Sequence, residues 1–170
     1  VPSAMVPLNP EGERRASAEA ARLRTLYDTV TPERFWAGRF THPVAVEGSG
    51  SGFGSRRVIN GKPRSPHGGT DWSADRGTPV VAANRGRVAL IGEFFFGGRL
   101  VALDHGLALY TLYMHLDRVD VAEGAIVTRG EALGVVGSTG RATGPHLHFQ
   151  VQAGRARIDP STLFALPVGD

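Results

Sequence analysis

The chain has 170 residues, a length that suits one compact domain with a modest extension. Hydrophobic residues make up 41% of it and charged residues 21%, which is typical of a globular protein and excludes a fibrous or largely disordered chain. The absence of cysteine excludes disulfides and thiolate metal sites. A formal net charge of +3 helps a chain approach an anionic polymer but is unremarkable at this length, and no nucleic-acid partner is expected.

The apolar runs are far too short to cross a bilayer, so no membrane span is expected in this chain. The sequence begins at Val1 and shows no signal-peptide core, which favours a processed product of a longer precursor.

Residues 1–47 are predicted to form a partly helical, linker-like N-terminal extension. Glu11–Val30 is predicted to be a helix because apolar residues recur on one face at helical spacing, among them Ala16, Ala20 and Leu23. Thr31 is a good N-cap and Pro32 suits the first helical position, so this pair predicts a second short helix.

The glycine-rich run Gly48–Gly54 predicts a boundary, after which residues 48–170 form the main domain. With 23 glycines and 11 prolines, the composition favours a mainly β fold with many tight turns. The predicted strands are Pro79–Ala83, Gly86–Ile91, Arg99–Asp104, Leu109–His115, Ile126–Thr128, Ala132–Val136 and His146–Ala153.

Two histidine clusters stand out among the six histidines. His67 and Asp71 are four residues apart around two glycines, which let the backbone turn sharply enough to aim both side chains at one ion. His146 and His148 are two residues apart in a predicted strand, so both imidazoles face the same side.

Zinc accepts histidine nitrogen and aspartate oxygen, and a site with three protein ligands leaves a fourth position for water, as in catalytic zinc centres. Hydrolysis also requires a proton acceptor and hydrogen-bond donors to the oxyanion. A histidine of the two clusters that is not a ligand suits this work, and His115 at the end of a strand is a second candidate. The spacing leaves open which histidines hold the metal.

Seven sequence blocks, in order along the chain, resemble the lysostaphin/LytM-type zinc endopeptidases. The resemblance covers roughly Phe53–Leu163, and its most specific part is the run from Gly137 to Phe149. The blocks are Phe53–Arg57, Asn60–Asp71, Gly77–Val80, Asp104–Gly106, Tyr113–Leu116, Val127–Gly130 and Gly137–Phe149.

The resemblance implies residue roles: His67, Asp71 and His148 hold one Zn²⁺ per chain, while His115 and His146 are the two non-ligand active-site histidines. It also implies an antiparallel sheet with a substrate groove, and hydrolysis of peptide bonds in the stem or cross-link of bacterial peptidoglycan. An extracytoplasmic location and a monomer are therefore expected. The direct cross-link is favoured over a glycine bridge.

Asn60 and Arg64 precede the ligand loop and are candidates for binding a stem-peptide carboxylate. Glu93–Gly98 is a candidate groove wall that faces the substrate or is covered by the N-terminal segment. The residues Trp72–Arg76 depart from the family pattern, and we expect them to change the packing behind the site. His42 and His105 are interpreted as structural or solvated.

Two other functions fit parts of the sequence. A catalytically idle module that binds and activates another wall hydrolase would share the fold, but the complete ligand set favours an enzyme. Val127–Gly137 resembles a hairpin of lipoyl and biotin carrier domains. Such a carrier needs a lysine at the tip of the hairpin, and the only lysine of this chain, Lys62, lies elsewhere, so the likeness is one of hairpin architecture only.

Overall fold

The computed structural model describes residues 9–45, 57–59, 62–64 and 69–165, with the backbone alone for 57–59 and 62–64. The elements are α1 (Pro10–Tyr27), β1 (Arg57–Ile59), β2 (Lys62–Arg64), β3 (Thr70–Ser73), β4 (Pro79–Val81), β5 (Gly86–Phe94), β6 (Gly98–Gly106), β7 (Leu109–Val119), β8 (Ile126–Val127), β9 (Ala132–Val136), β10 (His146–Ala153), β11 (Ala156–Ile158) and α2 (Pro160–Phe164). No helix in the described part of the chain is long and apolar enough to cross a membrane.

Nine of the strands form one antiparallel sheet, which confirms the predicted mainly β fold. Its main path runs β11-β10-β7-β6-β5-β8. Strand β3 pairs with the first half of β10, and β9 bridges the end of β7 to β4. The long central strands β5, β6, β7 and β10 therefore form a platform with two faces.

One face of the platform covers the larger core, and the other is partly covered by α1. The larger core combines inward residues of the central strands with β4, β8, β9, α2 and the segment before the sheet. On the opposite face, Leu23, Leu26 and Tyr27 of α1 pack on apolar residues of β5, β6 and β7. Strand residues alternate between the two cores because successive side chains point to opposite faces.

Helix α1 confirms the predicted N-terminal helix, with its end three residues earlier than expected. Asn9 caps it by accepting a 2.7 Å hydrogen bond from the amide of Gly12, and Pro10 occupies the first turn, where no amide hydrogen is needed. Arg155 of the β10–β11 turn anchors its far end through two hydrogen bonds to Asp28, at 2.6 and 2.7 Å.

The predicted second helix at Thr31-Pro32 is wrong. The segment is irregular, with a bend at residues 32–33, and binds the turn between β6 and β7. The Thr31 hydroxyl donates to Asp104 at 2.5 Å, and the Thr31 carbonyl accepts from the amide of Leu107 at 2.8 Å. These tertiary hydrogen bonds use the groups that a helix start would need, so they override the local capping signal.

The seven predicted strands are all confirmed, and Ala132–Val136 and His146–Ala153 have the predicted bounds. The short strands β1, β2, β3 and β11 and helix α2 were not predicted. The proposed linker Gly48–Gly54 lies outside the described residues, so the domain boundary stays a prediction.

Candidate active site

Strand β10 presents a row of polar side chains on the face that also carries α1. His146, His148, Gln150 and Gln152 alternate with three apolar residues that belong to the larger core. The predicted common side of His146 and His148 is therefore confirmed.

Asp71 lies directly opposite His148 because β3 pairs with β10 in that register. The Oδ1 atom of Asp71 is 2.9 Å from Nδ1 of His148 and 3.9 Å from Nε2 of His146. A short strand that was not predicted thus brings together two of the three predicted metal ligands.

Gly69 precedes β3 at a point where the backbone passes against His148. A β-carbon at this position would lie 2.4 Å from the carbonyl oxygen of Phe149 and 2.8 Å from Nε2 of His148. Such separations are shorter than van der Waals contact, so only glycine allows the chain to approach β10 this closely.

His115 reaches the site through a β-bulge. Met114 and His115 of β7 lie opposite the single residue Leu100 of β6, and His115 has a left-handed φ of 65°. Simple alternation would point its side chain into the larger core beside Tyr113. The bulge turns the imidazole to the other face, where its ring centroid is 4.7 Å from that of His146 and 6.2 Å from that of His148.

Backbone carbonyls define the tautomers of two of these rings. Nδ1 of His115 is 2.8 Å from the carbonyl oxygen of Thr139, and Nδ1 of His146 is 2.9 Å from that of Gly144. A carbonyl only accepts, so both Nδ1 atoms carry hydrogen and the neutral rings leave Nε2 unprotonated. Two imidazole nitrogens beside Asp71 are thus able to accept a proton.

Burial, with a smaller effect of the neighbouring His146 and His148, lowers the pKa of His115 to about 4 against the opposing effect of the Thr139 hydrogen bond. The ring is therefore neutral at physiological pH. Thr139 also ties its own loop to the sheet, because its hydroxyl donates to the carbonyl of Leu116 at 2.7 Å and accepts from the amide of Arg99 at 3.0 Å. Thr139 lies in the most specific block of the sequence, but its residue type and spacing predicted no role for it.

Three predicted residues cannot be compared with this geometry. His67 and Asn60 lie outside the described residues, and only the backbone of Arg64 is described. Within the described ranges, no group of three or more His, Asp or Glu residues is arranged to hold a metal ion.

The packing behind the site agrees with the expected effect of Trp72. Its ring is 2% exposed and contacts Phe149 and Phe164 at centroid distances of 5.8 Å each. His42 is exposed and contacts Phe164 edge-on at a centroid distance of 4.6 Å, and His105 is completely buried, so neither belongs to the site.

The sequence model of peptidase family M23 matches residues 65–160, more than half of the chain. The chain belongs to peptidase family M23. This M23 chain is 37% identical over 94 residues to ShyB, a peptidoglycan DD-endopeptidase of Vibrio cholerae, which corresponds to 55% of this chain and 22% of ShyB. It therefore spans about a fifth of that relative.

Two solved structures agree with the family. A zinc-containing peptidase from Vibrio cholerae matches 81% of the M23 chain and 41% of its own, with a TM-score of 0.64 and 28% identity. The catalytic domain of lysostaphin from Staphylococcus simulans matches 69% of this chain and 91% of its own, with a TM-score of 0.61 and 33% identity. These similarities confirm the lysostaphin-type fold.

Proposed function

We propose that this chain is a zinc-dependent endopeptidase that hydrolyses peptide bonds of bacterial peptidoglycan outside the cytoplasm. The observation that carries the proposal is the pairing of Asp71 with His148 beside the imidazoles of His115 and His146, each of which has Nδ1 bound to a backbone carbonyl. The peptidoglycan DD-endopeptidase activity in the name of ShyB supports this substrate class, and favours the direct cross-link.

The described residues fit a zinc ion. Asp71 Oδ1 and His148 Nδ1 are 2.9 Å apart, and two ligands about 2.0–2.2 Å from one tetrahedral Zn²⁺ are about 3.4 Å apart, so a further separation of about half an ångström would admit the ion. His67 is proposed as the third ligand. It is two residues before Gly69, which lies against His148, and two residues span at most about 7 Å.

Zinc, when bound, supplies a Lewis acid that polarises the scissile carbonyl and lowers the pKa of a water molecule to about 7. Side chains of the protein transfer the proton. One of the two imidazoles accepts it from the attacking water at Nε2 and then donates it to the nitrogen of the leaving amine. The other imidazole, when its Nε2 has taken up a proton from solvent, donates a hydrogen bond to the oxyanion.

Cleavage of a defined cross-linked muropeptide by the zinc-loaded chain, with products weighed by mass spectrometry, tests the proposal. We expect one endopeptidase product pair, its loss with a strong chelator, and its return when zinc is added. His148→Ala should lose both bound zinc and turnover, while His42→Ala, which removes an exposed histidine outside the site, should keep both.

A zinc-loaded, folded chain that leaves every muropeptide intact would exclude the enzyme and favour the idle activator module. A chain that cleaves at full rate after zinc removal would exclude the metal.

A further inference from the structure

A cavity of about 570 Å³ lies between α1 and the sheet, next to the candidate active site. His148 and Met114 line the end nearest the site, Leu23 and Tyr27 of α1 line one wall, and Phe96 of the β5–β6 turn lines another. Its volume is within the range of pockets that bind small ligands. The turn belongs to Glu93–Gly98, which the sequence predicted to face the substrate or to be covered by the N-terminal segment, and α1 lies against it through Glu19 and Phe95.

The floor of the cavity is polar although it is buried. Gln150 and Gln152 are 5% and 2% exposed, and the Gln150 amide donates to the Gln152 side chain at 2.9 Å. Oε1 of Gln150 has no hydrogen-bond partner in the described part of the chain, and it can accept from a ligand N–H. The buried hydroxyl of Tyr27 also has no partner among the described residues. An unsatisfied buried polar group is destabilising, so the Tyr27 hydroxyl indicates a site that is completed by a ligand.

The mouth of the cavity has an excess of positive charge. Arg155 is paired with Asp28, and Glu19 is occupied by the side chain of Arg15 and the amide of Phe95. The remaining lining charges are two arginines, Arg24 and Arg157.

Neither Arg24 nor Arg157 forms a salt bridge within the ranges that the structure describes, and the Asp28 carboxylate near Arg24 makes its hydrogen bonds to Arg155. Both side chains are exposed, so each guanidinium is available to a carboxylate of a ligand.

The floor has the dimensions of an extended peptide. His148 and Gln152 are four residues apart on β10, which corresponds to about 13 Å at roughly 3.3 Å per residue. A peptide that lies across the metal site and continues along β10 would therefore place three or four residues over this floor.

We propose that this cavity is a substrate subsite that binds the part of the peptide carrying a free carboxylate, with α1 as its wall. The proposal rests on the proposed function and extends it: α1, which precedes the part of the chain that the family model matches, contributes to substrate binding. The amide hydrogens of the peptide bind the floor at Gln150, and its carboxylate binds the arginines at the mouth.

A large side chain introduced into the cavity by substitution tests the location of the subsite. Ala20 is exposed on α1 and lines the cavity, whereas Ala18 is exposed on the same helix and does not. With a cross-linked muropeptide dimer as substrate, Ala20→Trp should raise KM about tenfold with little change in kcat, and Ala18→Trp should change neither. Equal KM values for Ala20→Trp and the parent would overturn the proposal.

Charge removal tests the chemistry of the ligand. Arg24→Gln combined with Arg157→Gln should raise KM about tenfold for the dimer but not for the same dimer with amidated carboxylates. Arg14→Gln, on an exposed part of α1 away from the cavity, is the control. An equal rise for both dimers would overturn carboxylate recognition.

The two proposals fail separately. If the zinc-loaded parent does not cleave the dimer, the proposed function fails, and calorimetric titration of the dimer into the parent and the Ala20→Trp variant still tests the subsite. Tenfold weaker binding to Ala20→Trp supports the subsite, and equal binding overturns it.

Discussion

Two buried histidines of this molecule have similar burial and the same Nδ1 hydrogen bond, and they differ in the hydrogen bonding of Nε2. His105 in β6 and His115 in β7 are 0% and 8% exposed, each donates from Nδ1 to a backbone carbonyl at 2.8 Å, and burial lowers the pKa of each to about 4. Both rings are therefore neutral, with the proton on Nδ1.

The Nε2 atom distinguishes them. In His105, Nε2 accepts a hydrogen bond from the Thr111 hydroxyl at 2.7 Å. The Thr111 oxygen accepts from the Tyr113 hydroxyl at 2.8 Å, and the Tyr113 oxygen accepts from the Ala83 amide at 3.0 Å. At His115 the Nε2 atom has no hydrogen-bond partner in the described part of the chain and lies among the site histidines. A closed network stabilises the fold, whereas an open nitrogen is available for chemistry.

The largest expected effect follows from removing the His115 imidazole, whose Nε2 has no hydrogen-bond partner among the described residues. His115→Ala should lower kcat on the muropeptide dimer by about 10²–10⁴-fold, the usual contribution of a general acid–base group. Bound zinc, measured by atomic absorption, should stay near one per chain because His115 is not a proposed ligand. Turnover at the parent rate would refute the role of His115.

The matching substitution in the closed network should affect stability instead. His105→Ala leaves a cavity, an unpaired Arg85 carbonyl and an unpaired Thr111 hydroxyl. We expect a loss of about 3–5 kcal/mol in the free energy of unfolding, measured with urea. The kcat per folded molecule should stay within about twofold of the parent, since His105 is not in the site. A large loss of kcat in the folded fraction would remove the distinction between the two histidines.

The pH dependence of stability sharpens the comparison further. The pKa of His105 falls from 6.5 to about 4 in the folded protein because of burial. Between these two values the unfolded chain binds a proton at His105 that the folded chain does not, so stability falls as the pH falls.

His105→Gln keeps a donor and an acceptor at this position but does not titrate. The difference in unfolding free energy between parent and variant should therefore shrink by up to about 3 kcal/mol from pH 7 to pH 4. Urea titrations at several pH values measure it, and a constant difference would contradict the prediction.

The smallest expected effect concerns the loop that orients His115. Thr139→Val removes the hydroxyl that ties this loop to Leu116 and Arg99, while the carbonyl that binds His115 remains. We expect kcat to fall about tenfold with KM and zinc content nearly unchanged, since imprecise orientation costs turnover before binding. Thr139→Ser keeps the hydroxyl and should restore the rate. No rescue by serine would show that the hydroxyl does not position His115.

Most of the sheet could be predicted from the sequence because its long strands have clear apolar patterns between glycine-rich turns. The short strand β3 could not, since four residues give too little periodicity, and its pairing with β10 is a tertiary contact. The error at Thr31 has the same origin: a capping signal is local, whereas Asp104 and Leu107 are distant in sequence.

The candidate site was predictable in part. Alternation along β10 correctly placed His146 and His148 on one face. The same rule would have placed His115 on the wrong face, because the bulge at Leu100 and the left-handed backbone depend on how two strands pair. The position of His115 at the end of a strand made it a candidate, and the family resemblance gave it a role in the site. The cavity under α1 was not predictable, because it depends on where the helix lies on the sheet.

The pairing of β10 determines what happens when this strand folds in the wrong register. A single register of β10 against β7 determines which side chains point to each face of the sheet. It places His148 and Gln150 on one face and Phe149 and Val151 on the other. A slip of one residue would turn the imidazoles into the apolar interior and the aromatic ring toward water. A misaligned molecule would therefore lose its reactive groups and its interior together, so specific activity should report the fraction of correctly registered chains.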